Sequence, residues 1–435
     1  MKTRLEQYFQ FRELGTNWRT EILAGCTTFV TMAYIIFVNP AILHETGMPL
    51  TAVVAATCLC AALGSILMGV FARYPLALAP GMGLNAYFTY TVVKGMGVPW
   101  ETALGAVFLS GAAFLILTLV GVRQMIVSEI PLELYAAVAV GIGLFIALVG
   151  LRNAGIIVAS PSTLVTLGNL RKPETLLALA GLLLMAALLA RGVRGAILLG
   201  ILATTAVGAV FGLVRWQPEI YSFKDIAATA FHLNIRGALR YGLVEIVFVF
   251  LFVDLFDNVG TLVAVGKQAR LFNQMQQIPR INRILYCDAV ATILGSLAGT
   301  STVTSYVESA AGVVAGGRSG VTAISTGGLF LVSLFVAPVV GAIPTAATAP
   351  ALIVVGSLMI AHAAEIPWSN PVLSIPAFLT VVTIPLTFSI ANGLAFGFTA
   401  YTLLKIARGE FRSVSWLVYA LTILFIARFA YLGSS

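Results

Sequence analysis

Charge is the first thing this chain lacks. Asp, Glu, Lys and Arg make up 10% of its 435 residues, against 59% hydrophobic residues, whereas a soluble domain carries about 25% charged residues. A water-facing globular surface is excluded, and the chain reads as a membrane protein. Histidine is scarce too. His44, His232 and His362 are scattered, with no HExxH pair or triad around them, so no metal site and no cofactor are expected. The four cysteines, Cys26, Cys58, Cys60 and Cys287, fall in apolar runs. One residue between Cys58 and Cys60 suits neither a zinc knuckle nor a CxxC pair, so all four read as packing residues. A phosphate loop is missing, because "GTLVAVGKQ" has one residue too many before Gly266 and a Gln after Lys267. "GMGLNA" and "GIGLFI" are glycine patterns in apolar segments and do not make a dinucleotide site. Any transport is therefore secondary. The first nineteen residues have no short apolar core and no small-residue cleavage site, so a secretory signal is not expected there and the N-terminus is expected in the cytoplasm. The net charge of +8 fits Lys and Arg gathered in cytoplasmic loops, and no nucleic-acid partner is implied.

What the chain does have is apolar length. Runs able to span a bilayer of about 30 Å recur at 20–40, 51–72, 76–94, 102–121, 132–151, 175–190, 194–214, 242–265, 284–299, 302–316, 319–341, 347–363, 371–407 and 414–432. That is fourteen if 371–407 counts once; Pro376, Pro385 and Gly393 are possible break points in it. Loops are short, the longest polar connections are 215–241 and 266–283, and no soluble domain is left over. Lys2, Arg4, Arg12 and Arg19 precede the first span, and Lys267, Arg270, Arg280 and Arg283 separate the eighth from the ninth. An even number of crossings lets both clusters be cytoplasmic. Arg215, Lys224, Arg236, Lys405, Arg408 and Arg412 fall outside on this count.

Helix breakers occur where they are least expected. "ALAPGMGLNAYFTYTVVKGMG" (77–97) and "LAGTSTVTSYVESAAGVVAGG" (297–317) each start with small or helix-breaking residues, continue as a short apolar helix and end in glycines, at an offset of 220. Seven spans per half reverse the second copy, which makes an inverted repeat. Extended backbone at membrane depth survives only inside protein or along a cavity. Pro80–Gly83 and Gly299–Thr302 are thus expected to be extended, each followed by a half-helix whose positive end faces the centre.

Polar side chains inside the spans are few. Asp254 and Asp257 share one helix face near the middle of the eighth span, with Asn258 one turn beyond Asp254. An acid at the bilayer centre costs at least about 2.5–3.5 kcal/mol, so it usually faces a pathway; for Asp257 a structural carboxylate is an equal alternative. Glu308 is the sole charge of the tenth span. Asn85 and Tyr87 follow the first broken segment, Ser305 and Tyr306 the second. Asn85 and Ser305 could equally be helix caps. Glu21, Glu45 and Asp288 lie at span ends, where hydration or a loop partner accounts for them.

The runs "TEILAGCTTFVTMAYIIFVNPAIL", "ALAPGMGLNAYFTY", "FVDLFDNVGTLVAVG", "GSLAGTSTVTSYVESAAGVVAGGRSGVTA" and "IPTAATAPALIVVGSLM" resemble, in order along nearly the whole chain, the guanine/hypoxanthine permeases, the azaguanine-permease-like branch of the nucleobase–cation symporter-2 (xanthine/uracil permease) family. The resemblance implies an all-α polytopic membrane protein of the uracil-transporter fold. It has about fourteen transmembrane segments in two inverted seven-helix repeats, with short extended strands in spans 3 and 10. The implied division is a cytoplasmic segment 1–19, a core domain from 20–125 and 240–342, and a gate domain from 126–215 and 343–435. Asp254 matches the family's acidic position of span 8, Glu308 that of span 10 and Asn85 the polar residue of span 3. An Asp rather than the Glu of the uracil and urate branches fits the purine branch.

The resemblance further implies a proton symporter importing purine nucleobases, hypoxanthine and guanine with adenine or xanthine as further options, by elevator-type movement, with no catalytic residue. The expected binding set is Asp254, Glu308, Asn85, Ala86, Tyr87, Phe88, Asp257, Asn258, Thr304 and Ser305, where carboxylates and amides match a purine edge and Tyr87, Phe88 or Phe256 covers a face. Proton coupling is assigned to Asp254 and Glu308, since loss of water favours the neutral acid. The expected partners are a purine base, a proton or a sodium ion, the lipid bilayer and, as an open option, a second copy in a homodimer. The chain is expected in the inner cell membrane with cytoplasmic termini. A same-fold anion exchanger or channel would replace the acidic pair by neutral or basic groups, a uracil/xanthine-type permease is a nearer alternative, and a membrane enzyme would need a nucleophile or metal cluster.

Overall fold

Backbone amides inside a bilayer have no water to bond, so helices must carry most of such a chain. The structure, a computed structural model, describes residues 2–121, 129–214, 227–240, 244–269, 281–335 and 337–432. Its main elements in the first half are α1 (Trp18–Met32), α2 (Ile35–His44), α3 (Leu50–Leu67), β1 (Leu78–Pro80), α4 (Met82–Ala86), α5 (Trp100–Leu119), α6 (Leu132–Asn153), the hairpin β2 (Ile157–Ser160) and β3 (Leu164–Leu167), α7 (Pro173–Ala190) and α8 (Ala196–Val210). The second half contributes α9 (Val244–Ala269), α10 (Ile281–Ala298), β4 (Val303–Ser305), α11 (Ser309–Val314), α12 (Gly320–Ser333), α13 (Thr345–Met359), α14 (Pro371–Thr387), α15 (Ile390–Ala407) and α16 (Trp416–Leu432). Among the described residues, eight helical stretches are long and apolar enough to cross a membrane, and four more apolar helices are shorter.

Several of the apolar blocks read from the sequence are composite, three of them at points that bear on the site or the span count. Block 76–94 is β1, the five-residue α4 and a π-helical stretch Tyr87–Gly95. Block 302–316 is β4 and the six-residue α11. Both strands are displaced from the expected extended segments: β1 ends at Pro80 and helix resumes at Met82, while β4 begins at Val303. Block 371–407 breaks at Phe388, whose left-handed φ of 49° ends α14, and at Ser389, whose side chain accepts from the Asn392 amide. Pro376 and Pro385 stay inside α14. Each withdraws one amide from the helix ladder, that facing the Val372 carbonyl and that facing the Val381 carbonyl, without ending the helix.

The chain forms two compact units, one of Met1–Ile116 with Val149–Val354 and one of Leu117–Leu148 with Val355–Ser435, so each draws on both halves. In the first unit, α12 packs on α1 and α3, and α3 and α10 enclose the strands. Cys60, Leu78, Cys287, Ala291 and Val303 share one buried apolar cluster there. All four cysteines are free thiols, Cys58, Cys60 and Cys287 buried and Cys26 half-buried. In the second unit Ala136, Ala137, Val140, Ala377 and Val381 pack α6 on α14, the small side chains allowing close approach. Lys405 and Arg408 flank Glu410 at 2.6 and 2.8 Å, and the Lys405 hydrogen bond above all holds its carboxyl below the usual range. Most of connections 215–241 and 266–283, with Arg215, Lys224, Arg270 and Arg280, lies outside the described residues.

Candidate functional site

Two three-residue strands deep inside a helical unit need partners for every amide. β1 and β4 pair antiparallel, Leu78 opposite Ser305, Ala79 opposite Thr304 and Pro80 opposite Val303. The ladder extends past both ends: the Tyr306 amide donates to the Ala77 carbonyl and the Gly81 amide to the Thr302 carbonyl, each at 2.9 Å. Alternation in an antiparallel pair turns the amide and carbonyl of Leu78 and of Val303 outward. A single hydroxyl meets each of them. Ser65 on α3 accepts from the Leu78 amide at 2.9 Å and donates to the Leu78 carbonyl at 3.1 Å. Thr292 on α10 accepts from the Val303 amide at 3.3 Å and donates to the Val303 carbonyl at 2.9 Å. The two halves of the chain thus hold their strands in the same way.

Small residues let the strands come that close. A Cβ on Gly64 would lie 3.1 Å from the Leu78 Cβ, and one on Gly295 would lie 2.7 Å from a Val303 methyl. Gly81, between β1 and α4, has an ordinary φ of −71°, so its role is space: a Cβ there would meet Thr304 Cγ2 at 3.0 Å and Asp257 Oδ2 at 3.6 Å. Asp257, half-buried, is thereby placed beside the strand pair, and it lies within electrostatic reach of Glu308 and Asp288. Glu308, also half-buried, accepts from the Tyr34 hydroxyl at 2.6 Å and occupies the N-cap position of α11. Tyr306 donates its hydroxyl to the Pro80 carbonyl at 2.5 Å. Asp254 is buried on α9, one turn before Asn258.

Around these groups, polar side chains are left without partners. Both amide atoms of Asn258, the hydroxyls of Ser301, Thr302, Thr304 and Ser305, and Oδ1 of Asn85 are buried with no hydrogen-bond partner among the described residues. Buried polar groups are nearly always bonded, so partners for this group of atoms have to come from outside the described residues. The expected pair of half-helices is unequal. The first runs on through the π-helical stretch after Ala86, a feature frequent at functional sites, while α11 has six residues.

Asn85, Ala86, Tyr87 and Phe88 are all buried. Asn85 is more committed than a capping residue, for its Nδ2 donates to Asn39 Oδ1. Asn39 in turn donates to Thr57 at 2.7 Å and Thr300 at 3.1 Å. The rings of Tyr87 and Phe88 meet Phe250, with centroids at 5.2 and 6.4 Å. The side chain of Phe256 lies outside the described residues.

Sequence reasoning overlooked Tyr34, Asn39, Ser65 and Thr292. Asn39 carried a readable signal, an amide alone in "IIFVNPAIL". The hydroxyls carried none, since Ser and Thr in membrane helices commonly bond their own backbone. The span-end acids were expected to be hydrated or to have a loop partner, and Glu21 has loop partners, though it is buried. Glu21 is fully buried and accepts from the Arg318 and Ser319 amides and from the Thr16 and Thr322 hydroxyls, fixing the start of α12. Glu45 accepts from the Tyr90 hydroxyl at 2.7 Å and pairs with Lys94. Asp288 is fully buried.

Comparison with known proteins agrees with a membrane transporter. A model described as Permease family matches residues 19–431. The chain is 44% identical over 430 residues to the adenine permease AdeP of Escherichia coli, covering 99% of this chain and 97% of that one. It is 44% identical over 440 residues to the guanine/hypoxanthine permease PbuG of Bacillus subtilis, covering 98% and 100%. Among solved structures, the transmembrane domain of a cyanobacterial bicarbonate transporter, BicA, aligns with a TM-score of 0.65 over 85% of this chain and 96% of that domain. At 17% identity that likeness concerns the fold alone.

Proposed function

Because this chain belongs to the Permease family, and is an integral membrane transporter and not an enzyme, we propose that it imports purine nucleobases, hypoxanthine and guanine first, adenine or xanthine as further substrates. The observation that carries this reading is the set of buried, unpartnered polar groups on Asn85, Asn258, Thr302, Thr304 and Ser305. Each such group costs about 1–3 kcal/mol while unmade, and a flat heterocycle with N–H donors and ring-nitrogen acceptors supplies the missing partners. On this reading Glu308 accepts a ring N–H, Asn258, Thr304 and Ser305 meet the rest of the edge, and the backbone and rings of Asn85, Ala86, Tyr87 and Phe88 form the opposite wall.

The finer mechanism belongs to the same proposal. Import is proton symport, with the proton on Asp254 or Glu308 and Asp257 beside them, and sodium is the alternative coupling ion. About fourteen segments in two inverted repeats make a core domain (20–125 and 240–342) that carries the base past a gate domain (126–215 and 343–435) by an elevator movement. The chain sits in the inner membrane with its termini in the cytoplasm, as a monomer or a homodimer. The likeness to a bicarbonate transporter does not extend to its substrate, since two acids beside the strands oppose an anion.

The test is uptake of labelled hypoxanthine into proteoliposomes with an imposed proton or sodium gradient, competed by guanine, adenine, xanthine, uracil and bicarbonate. Purine-selective uptake driven by the proton gradient supports the proposal. Uptake competed by bicarbonate or uracil and indifferent to purines overturns it.

A further inference from the structure

One helix serves two places in the first unit. α2 and the turn before it supply Tyr34 to Glu308 and Asn39 to Asn85, and from the same stretch Phe37, Ala41, Ile42, His44 and Glu45 line a cavity of about 340 Å3. That volume lies within the range of small-molecule sites, about 300–1,000 Å3. Leu50, Thr345, Thr348, Leu352 and Asn153 complete much of its wall. A second cavity of about 290 Å3, lined by Glu174, Leu177 and Pro344, shares Asn153 and Thr345 with it, so the two volumes meet at these residues.

The cavity's chemistry is that of a binding site, with mostly apolar walls and a few convergent polar groups. Glu45 accepts from Tyr90 at 2.7 Å, from Lys94, and from Asn153 Nδ2 at 3.3 Å. Asn153 also donates to the Tyr90 hydroxyl at 3.3 Å, which leaves its Oδ1 as an acceptor. Thr348 is buried and donates to the Thr345 carbonyl at 3.3 Å. His44 has Nδ1 2.8 Å from the Met48 carbonyl; with the proton there, Nε2 is an acceptor. The lining thus offers a carboxylate, an amide oxygen and an imidazole nitrogen as acceptors for N–H groups, the hydroxyls of Thr345 and Thr348 for ring nitrogens or a carbonyl, and the apolar side chains of Phe37, Ile42 and Leu352 for flat faces.

We propose that this cavity is a second, outer binding site for a purine nucleobase, occupied before the base moves along α2 to the strand site. The inference rests on the transport reading above, which puts the Glu45 end of the first span on the side opposite the cytoplasm. The Lys94–Glu45 pair ties the end of the π-helical stretch to the end of α2, so a base that engages Glu45 competes with that tie.

The experiment is equilibrium binding of labelled hypoxanthine to the purified full-length protein in nanodiscs. Two classes of site per chain are expected. Ala41→Phe, which fills the cavity, should leave one class and raise the KM of uptake. Glu45→Gln preserves shape, so it decides the matter should the larger side chain prevent folding; it should weaken one class about tenfold and leave the other unchanged. Asn258→Ala should remove the class that Glu45→Gln spares. A single class of site in the wild type, untouched by Glu45→Gln, overturns the outer site while the transport reading stands. No purine binding at all overturns both.

Discussion

The hydroxyl clasp on each strand gives a perturbation whose size follows from geometry. Ser65→Ala removes at once the acceptor of the Leu78 amide, at 2.9 Å, and the donor to the Leu78 carbonyl, at 3.1 Å. Leu78 is fully buried and sits opposite Ser305 in a pair whose own backbone groups point away from each other. Neither group finds water or a ladder partner. At about 1–3 kcal/mol for each unmade buried group, the strand pair loses about 2–6 kcal/mol, a large part of the 5–15 kcal/mol that holds a typical protein folded. Thr292→Val should cost a similar amount through Val303, because one hydroxyl again serves both groups. Ser65→Thr and Thr292→Ser keep the hydroxyl and should recover most of the loss. The measurements are the apparent melting temperature of the purified protein in detergent and the KM for hypoxanthine uptake. Both hydroxyl-deletion variants should melt lower and bind more weakly, while the two hydroxyl-retaining variants should follow the wild type. If Ser65→Ala and Thr292→Val melt and transport like the wild type, these hydroxyls do not hold the strands and the reasoning is wrong.

Glu308→Gln keeps an acceptor for Tyr34 but removes the charge, so hypoxanthine affinity should fall by about ten- to a hundredfold, the equivalent of a charge-assisted hydrogen bond; unchanged affinity in a competition assay rules out contact with the base. Asn39→Ala leaves the Asn85 amide and the Thr300 hydroxyl without their partner, so its effect on melting should overlap with that of Asn85→Ala, and strictly additive losses in the double variant would contradict a shared network. Asp254→Asn imitates a permanently protonated carboxyl; it should still exchange purine across proteoliposomes yet lose accumulation driven by a proton gradient, whereas normal accumulation would make Asp254 structural.

The broad architecture was legible because two constraints act along the whole chain. A bilayer demands long apolar helices, and it forbids unpaired extended backbone, so "LALAPGMGLNA" has to be a special segment on sequence grounds alone. What the sequence could not supply was the position of the strands within that segment. Pro80 reads as the start of extended chain, but it is the last residue of β1, and Gly81 already caps the helix that begins at Met82. The break in 371–407 was misplaced for a related reason. Prolines draw the eye as breakers, yet α14 runs through Pro376 and Pro385, and the chain turns at Phe388, whose left-handed conformation no composition rule announces.

The acids show where reading residue types stops. Glu21 and Glu308 look alike in sequence, each a lone carboxylate near the start of an apolar run. In the fold they are opposites. Glu21 is surrounded by donors already committed to it, two backbone amides and two hydroxyls, so its free energy is fully used in joining α1 to the start of α12. Glu308 has the Tyr34 hydroxyl and, in the same region of the fold, Thr304 and Ser305 hydroxyls that bond to nothing among the described residues. At Glu21 the committed donors make a structural joint; at Glu308 the unpartnered hydroxyls leave capacity for a ligand. That distinction depends on where the other half of the repeat brings its backbone, 77–81 against 302–306, and hence on contacts made across more than two hundred residues of chain, which no local pattern encodes.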